Sequence, residues 1–308
     1  MKQQKLNGEL IGTGLAFPEG PIAMADGSVI VVEIMGQRLM RVTPNGQMSV
    51  VAELGGGPNG AAIGPDGFCY VCNNGGFTWR TDEGFSRPTG VPDDYQTGSI
   101  QRVNIETGEV ETLFTHCGDV PLYGPNDIVF DEHGGFWFTD FGKKYPDRIL
   151  GGSLYYATTD GSTIQCAASH LLTPNGVGLS PDGQTVYVSE TETSRLWQYP
   201  VVGKGQVNLE PWPSPNGGQL VHGLPGYQRF DSLAVEEGGN ICVATLVRGG
   251  ISVFAPDGEL LEFHQAPEGY CTNICFGGKD RKTAFITLSG YGHLLAVPWE
   301  RTGLPLHF

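Results

Sequence analysis

The sequence is short of positive charge, of long apolar runs and of paired cysteine motifs, and each shortage removes a class of function. Only 18 Lys and Arg stand against 33 Asp and Glu, a net charge of −15. Such a surface repels phosphate chains and anionic lipid, so neither nucleic acid nor a membrane is an expected partner. No stretch approaches the ~18 consecutive apolar residues of a spanning helix, and MKQQKLNGELIG has no apolar core of signal-peptide length. Seven cysteines form an odd set without framework spacing, and reduced thiols in a cytoplasmic setting fit best. Cys69 and Cys72 lie in an apolar strand-like run, FCYVC, where positions three apart face opposite ways. They read as buried structural thiols rather than zinc ligands.

Nucleotide and serine-hydrolase signatures are also missing. No P-loop or G-x-G-x-x-G opens a helix, and no G-x-S-x-G elbow is present. The seven histidines show no metal-site spacing. Only His222, in LVHGLPG upstream of Asp231, merits watching, with a surface-loop role preferred.

What the chain has in abundance is glycine, 47 residues, with 21 prolines, spread along the whole length. Many tight turns imply many short strands, and the chain reads as all-β. One pattern recurs six times: PEGPIAMADGSVIVVE, PNGAAIGPDGFCYVCN, PNDIVFDEHGGFWFTD, PNGVGLSPDGQTVYVSE, FDSLAVEEGGNICVAT and TNICFGGKDRKTAFIT. Each copy is followed by a second element with its own turn, as in GQRLMRVTPNGQ. Units of about 40 to 65 residues with three or four antiparallel strands predict a single six-bladed β-propeller over residues 1–308. A solenoid would need capping repeats, which neither end resembles. A ring also removes sheet edges, and the N-terminal segment near residues 5–16 is expected to pair beside C-terminal strands to close it.

Glu19, Asn59, Asn126, Asn175, Asp231 and Asn273 share one repeat position, each seven residues before the following turn. On six innermost strands they would converge at one mouth of the channel. Holding a turn through backbone hydrogen bonds is the simpler account of any one of them. All six together favour a cation site, because converging carboxylates repel one another without one. Oxygen donors of this kind suit Ca²⁺ or Mg²⁺ better than zinc or copper. The 75–96 stretch is an insertion of the second repeat, and Phe77, Trp79, Phe85 and Tyr95 would line a pocket if it covers the mouth.

FPEGP at 17–21, PNDIVFD at 125–131, TPNGVGLSPD at 173–182 and FDSLAV at 230–235 resemble the senescence marker protein, gluconolactonase and luciferin-regenerating enzyme family, which includes diisopropyl fluorophosphatase. The resemblance implies a metal-dependent hydrolase of a small-molecule lactone with one divalent cation, calcium first, and Mg²⁺, Mn²⁺ or Zn²⁺ left open. It implies Glu19, Asn175 and Asp231 as ligands, with Asn126 a ligand or a substrate contact. Asp231 would be the catalytic residue, as general base for water or as nucleophile. Asn59, Asn126, Asn273, Trp79 and Phe77 are the expected substrate contacts. Gly124 replaces an arginine of animal gluconolactonase-type members, and Ala234 replaces an acidic residue that serves a second calcium in the fluorophosphatase branch. Phosphotriester or fluorophosphate hydrolysis, and a non-catalytic binding platform, are the alternatives.

Overall fold

A computed structural model describes residues 1–307. Among them there is no helix, and no helix is long and apolar enough to cross a membrane. Six sheets carry the fold, each a meander of antiparallel strands that begins at a repeat identified in the sequence. The innermost strands are Pro18–Ala23, Pro58–Ile63, Pro125–Phe130, Pro174–Leu179, Arg229–Val235 and Cys271–Gly277. Each neighbours the next around the circle, and the last returns to the first. This is the expected six-bladed propeller.

The ring closes through both chain ends. Glu9–Thr13 pairs antiparallel with His293–Pro298 as the outer strand of the sixth blade, with Glu9 opposite Ala296 and Thr13 opposite His293. That is the predicted closure. Lys2–Lys5 adds a second clasp, pairing in parallel with Leu260–Gln265 at the outer edge of the fifth blade. The N-terminal strands therefore tie two blades and cover an edge that would otherwise template unwanted pairing.

The core is divided among the seams. Six buried clusters occur, each drawn from two adjacent blades. The second-to-third seam joins Tyr70, Cys72 and Ile100 to Phe136, Phe138 and Tyr155, with Phe138 stacked on Tyr155 at 5.2 Å. Fully burying one such side chain contributes roughly 1.5–3 kcal/mol. Strands with both faces covered need apolar residues at successive positions, which explains VIVVE, CYVCN and FWFTD. Cys69 faces the first-to-second seam and Cys72 the second-to-third. Both are free and buried, as their spacing predicted.

Candidate functional site

The six repeat-position residues stand where each innermost strand loses its regular pairing. The register breaks between Pro58 and Ala61, Pro125 and Ile128, Pro174 and Val177, and Phe230 and Leu233. Asn59, Asn126, Asn175 and Asp231 each occupy the first of the two residues left out. Glu19 is the last paired residue before the break in the first blade, and Asn273 the first after it in the sixth. A bulge turns a side chain out of the pleat, and six in register give one ring.

Neighbouring bulges press together. A Cβ on Gly20 would lie 2.6 Å from the Asn59 carbonyl oxygen, and one on Gly60 2.4 Å from that of Asn126. Glycine is required at both places by this close approach. In the third blade the corresponding residue is Asp127, whose Oδ2 accepts from Val177 N of the next blade at 3.2 Å. Its importance was not read from the sequence, although it alone puts an acid where three other repeats carry glycine.

Hydroxyls of the second strands hold this layer. Thr139 Oγ1 accepts from Asp127 N at 3.1 Å and donates to the Asn175 carbonyl. Ser189 Oγ accepts from Gly176 N at 2.9 Å and donates to the Asp231 carbonyl at 2.5 Å. Ser289 Oγ donates to the Pro18 carbonyl at 2.5 Å. Thr139 and Ser189 thus link their own blades to the next blade's ring position, and Ser289 reaches the residue before Glu19.

The ring side chains are oriented by specific bonds. Glu19 Oε2 accepts from Gly20 N at 2.8 Å and from Asn273 Nδ2 at 2.7 Å. Asn273 Oδ1 accepts from Ile274 N at 2.7 Å, so its amide is committed to protein groups. Asn175 Nδ2 donates to Thr191 Oγ1 at 3.1 Å, and its Oδ1 accepts from Ser232 Oγ at 3.3 Å. Asn126 Oδ1 is buried without a hydrogen-bond partner among the described residues. Glu19, Asn59, Asn126, Asn175 and Asn273 are buried, whereas Asp231 keeps some accessible surface.

Three carboxyl groups share this low-dielectric layer. Burial pushes Glu19 up to about 7, against the bonds from Asn273 and Gly20. Burial, and then the Glu19 charge, push Asp127 up to about 7. The same two causes hold Asp231 well above the usual carboxylate range. The pattern is that of acids lacking a counter-charge. Among the described residues no three His, Cys, Asp or Glu side chains group into a metal site. The donor set here is mixed, with Glu19 and Asp231 supplying charge and Asn126 and Asn175 neutral oxygen. An orphaned amide oxygen beside under-compensated carboxylates fits a hard divalent cation.

The 75–96 insertion forms a hairpin, Thr78–Asp82 with Phe85–Gly90, that spans the mouth from the second blade. Trp79 packs on Phe17 at 4.9 Å, and Phe17 on Tyr270 at 6.1 Å. Phe85 meets Tyr270 at 5.1 Å and Tyr291 at 5.0 Å, and Ser86 N donates to the Gly290 carbonyl at 2.8 Å. The hairpin's root is held by Lys143, buried in the third blade, whose Nζ donates to the Gly76 carbonyl at 3.0 Å. The ammonium lies 4.9 Å from the Phe77 ring and 4.5 Å from that of Tyr95. Of the predicted aromatics, Trp79 and Phe85 therefore face the mouth residues Phe17 and Tyr270, while Phe77 and Tyr95 enclose a lysine. His222 lies on the outer strand Gln219–Gly223, bonded through Nδ1 to the Gly258 carbonyl at 2.8 Å, and not on a loop at the mouth.

Residues 17–290 match the model of the SMP-30/gluconolactonase/LRE-like region, and the chain belongs to that family. It is 26% identical to a gluconolactonase of Zymomonas mobilis, over 91% of this chain and 78% of the relative. It is 27% identical to lactonase drp35 of Staphylococcus saprophyticus, over 79% and 69% respectively. Among solved structures, a Xanthomonas campestris gluconolactonase superposes with a TM-score of 0.74 at 24% identity, covering 94% of this chain and 88% of that one. The calcium-binding regucalcin of Agrobacterium tumefaciens gives 0.74 at 18% identity, covering 100% and 99%. At these identities the structural likeness speaks for the fold.

Proposed function

We propose that this member of the SMP-30/gluconolactonase/LRE-like family is a divalent-metal-dependent lactonase working at the covered mouth of the propeller channel. The observation that carries the reading is the buried Asn126 Oδ1, left without a partner in the same ring as Glu19 and Asp231. The names of the curated relatives, gluconolactonase and lactonase, supply the reaction class.

Glu19, Asn126, Asn175 and Asp231 would hold the cation, with calcium favoured by the all-oxygen donor set. Bound there, it would supply Lewis-acid polarisation of a lactone carbonyl. The residues do the rest. Asp231, partly accessible, accepts a proton from the attacking water as its oxygen bonds to the carbonyl carbon, and returns that proton to the ring oxygen as the ester bond breaks and leaves an alcohol. Asn273 and Gly20 fix Glu19, Thr191 fixes Asn175, and Ser189 fixes the Asp231 backbone. Trp79 and Phe17 give the substrate ring an apolar wall. Asn59 offers an uncommitted amide to its polar edge. All seven cysteines are free, which supports a reducing, cytoplasmic setting.

A panel of small lactones assayed by proton release, before and after chelation and with calcium restored, tests the reading. It fails if no lactone is opened, or if chelation leaves the rate unchanged.

A further inference from the structure

Cations are unevenly paired along the rim of the channel mouth. The chain carries 33 acidic and 18 basic residues, yet at two places on this rim a pair of cations shares one carboxylate. Glu192 lies between Lys144 Nζ at 2.8 Å and an Arg229 guanidinium nitrogen at 3.3 Å. Asp82 lies between Arg80 at 2.7 Å and Arg87 at 3.6 Å. Each group keeps a surplus positive charge. Arg80 and Arg87 are also direct cross-strand partners, a placement of like charges that weakens a hairpin.

The two surpluses converge on the site. Arg229 opens the innermost strand of the fifth blade, two residues before Asp231. Arg87 is on the covering hairpin, beyond Phe85, which packs on Tyr270. Arg229 pairs with Leu246, whose neighbour Val247 donates to the carbonyl of Gly269, the residue before Tyr270, so Arg229 and the Phe85–Arg87 stretch approach the same tyrosine from two sides. Glu268, a further carboxyl beside Tyr270, accepts from Gly290 N at 3.0 Å, and burial pushes it up to about 7. Guanidiniums on either side of Tyr270, each sharing its carboxylate with a second cation, suit a ligand carboxylate, which accepts charge-assisted hydrogen bonds from both.

We propose that Arg229 and Arg87 form a two-armed carboxylate site over the channel mouth, so that the substrate is the lactone of a hydroxy-dicarboxylic acid. Ring closure consumes one carboxyl group of such an acid and leaves the second free. The proposal rests on the lactonase reading and narrows its substrate class. A carboxylate held by both arginines would draw the hairpin residues Phe85 and Trp79 onto the lactone ring.

The test uses the calcium-loaded full chain and paired substrates, a γ-lactone bearing a ring carboxylate and its neutral methyl ester. Both arginines are about half exposed, so the preference for the acid in kcat/KM is about tenfold. In the Arg87→Gln, Arg229→Gln double variant that ratio falls to about one. In the wild type it also falls with added salt, as expected for steering by exposed charge. A wild-type ratio of one, or a ratio the double variant leaves unchanged, overturns the proposal. A second arm measures calorimetric binding of the non-hydrolysable lactam carboxylate and its methyl ester. If no lactone is opened the lactonase reading falls, and this arm still decides. Tighter binding of the acid, lost in the double variant, supports the arginine site, and equal affinities refute it.

Discussion

Asn273 donates from Nδ2 to Glu19 Oε2 at 2.7 Å although the two residues are 254 positions apart. The bond crosses the seam between the last blade and the first, so a single amide serves both ring closure and orientation of the candidate metal ligand. Asn273→Ala leaves a buried carboxylate oxygen with one bond fewer. The expected cost is about 1–3 kcal/mol of stability and roughly a tenfold loss of calcium affinity. Denaturant unfolding and calorimetric calcium titration check this, and unaltered calcium affinity would show that Asn273 does not position Glu19.

Ser189 makes a comparable link between the fourth and fifth blades, bonding Gly176 N and the Asp231 carbonyl. Ser189→Ala strands two buried backbone groups and frees the bulge that presents Asp231. Lactone kcat should fall about tenfold with KM nearly constant, and Ser189→Thr should restore it. A change confined to melting temperature would assign the serine a structural role only.

The fold was legible because its signal repeats. Six Gly/Pro-rich approaches, six oxygen-bearing residues at one position and six turns gave blade number and ring placement without long-range information. Closure by residues 9–13 followed from the need to satisfy a sheet edge, whereas the parallel pairing of Lys2–Lys5 on the fifth blade left no pattern in KQQK. The bulges were hidden because an unpaired backbone step is not encoded in residue type. Asp127 was missed for the same reason: its role depends on how close the next bulge approaches. Lys143 is not distinguished by its sequence, because one lysine in FGKKYPD resembles any exposed cation until its aromatic partners Phe77 and Tyr95, drawn from the insertion of the preceding repeat, are placed around it.

Lys143 gives a pH signature. Burial, partly opposed by Asp140, pushes its ammonium from 10.5 down to about 8. Below pH 8 both folded and unfolded chains hold the proton and the full cost of burying the charge is present. Between pH 8 and 10.5 the unfolded chain binds more protons, so stability contributed by this residue rises with pH. Relative to Lys143→Met, the wild type should gain about 3 kcal/mol across that window. Urea unfolding of both proteins at a series of pH values measures it, and a constant difference would contradict the account.

The hairpin's contribution to substrate binding is separable from its anchoring. Trp79 contacts Phe17 beside the ring, whereas Phe77 and Tyr95 surround Lys143. Trp79→Ala should raise lactone KM about tenfold, by removing an apolar wall worth one to two kcal/mol, with a smaller effect on kcat. An unchanged KM would place the hairpin outside the substrate site.

The central claim is that Asp231 acts on a lactone within a cation site shared with Glu19, Asn126 and Asn175. Its most direct test is kcat for a good lactone substrate, measured against free calcium concentration in the wild type and in Asp231→Asn. The amide keeps an oxygen donor and cannot accept the proton of water. The account predicts a wild-type rate that vanishes on chelation and returns with calcium, and an Asp231→Asn rate lower by about 10² to 10⁴ at saturating calcium. A chelated wild type that keeps its rate, or a calcium-loaded Asp231→Asn enzyme that turns over normally, would contradict it.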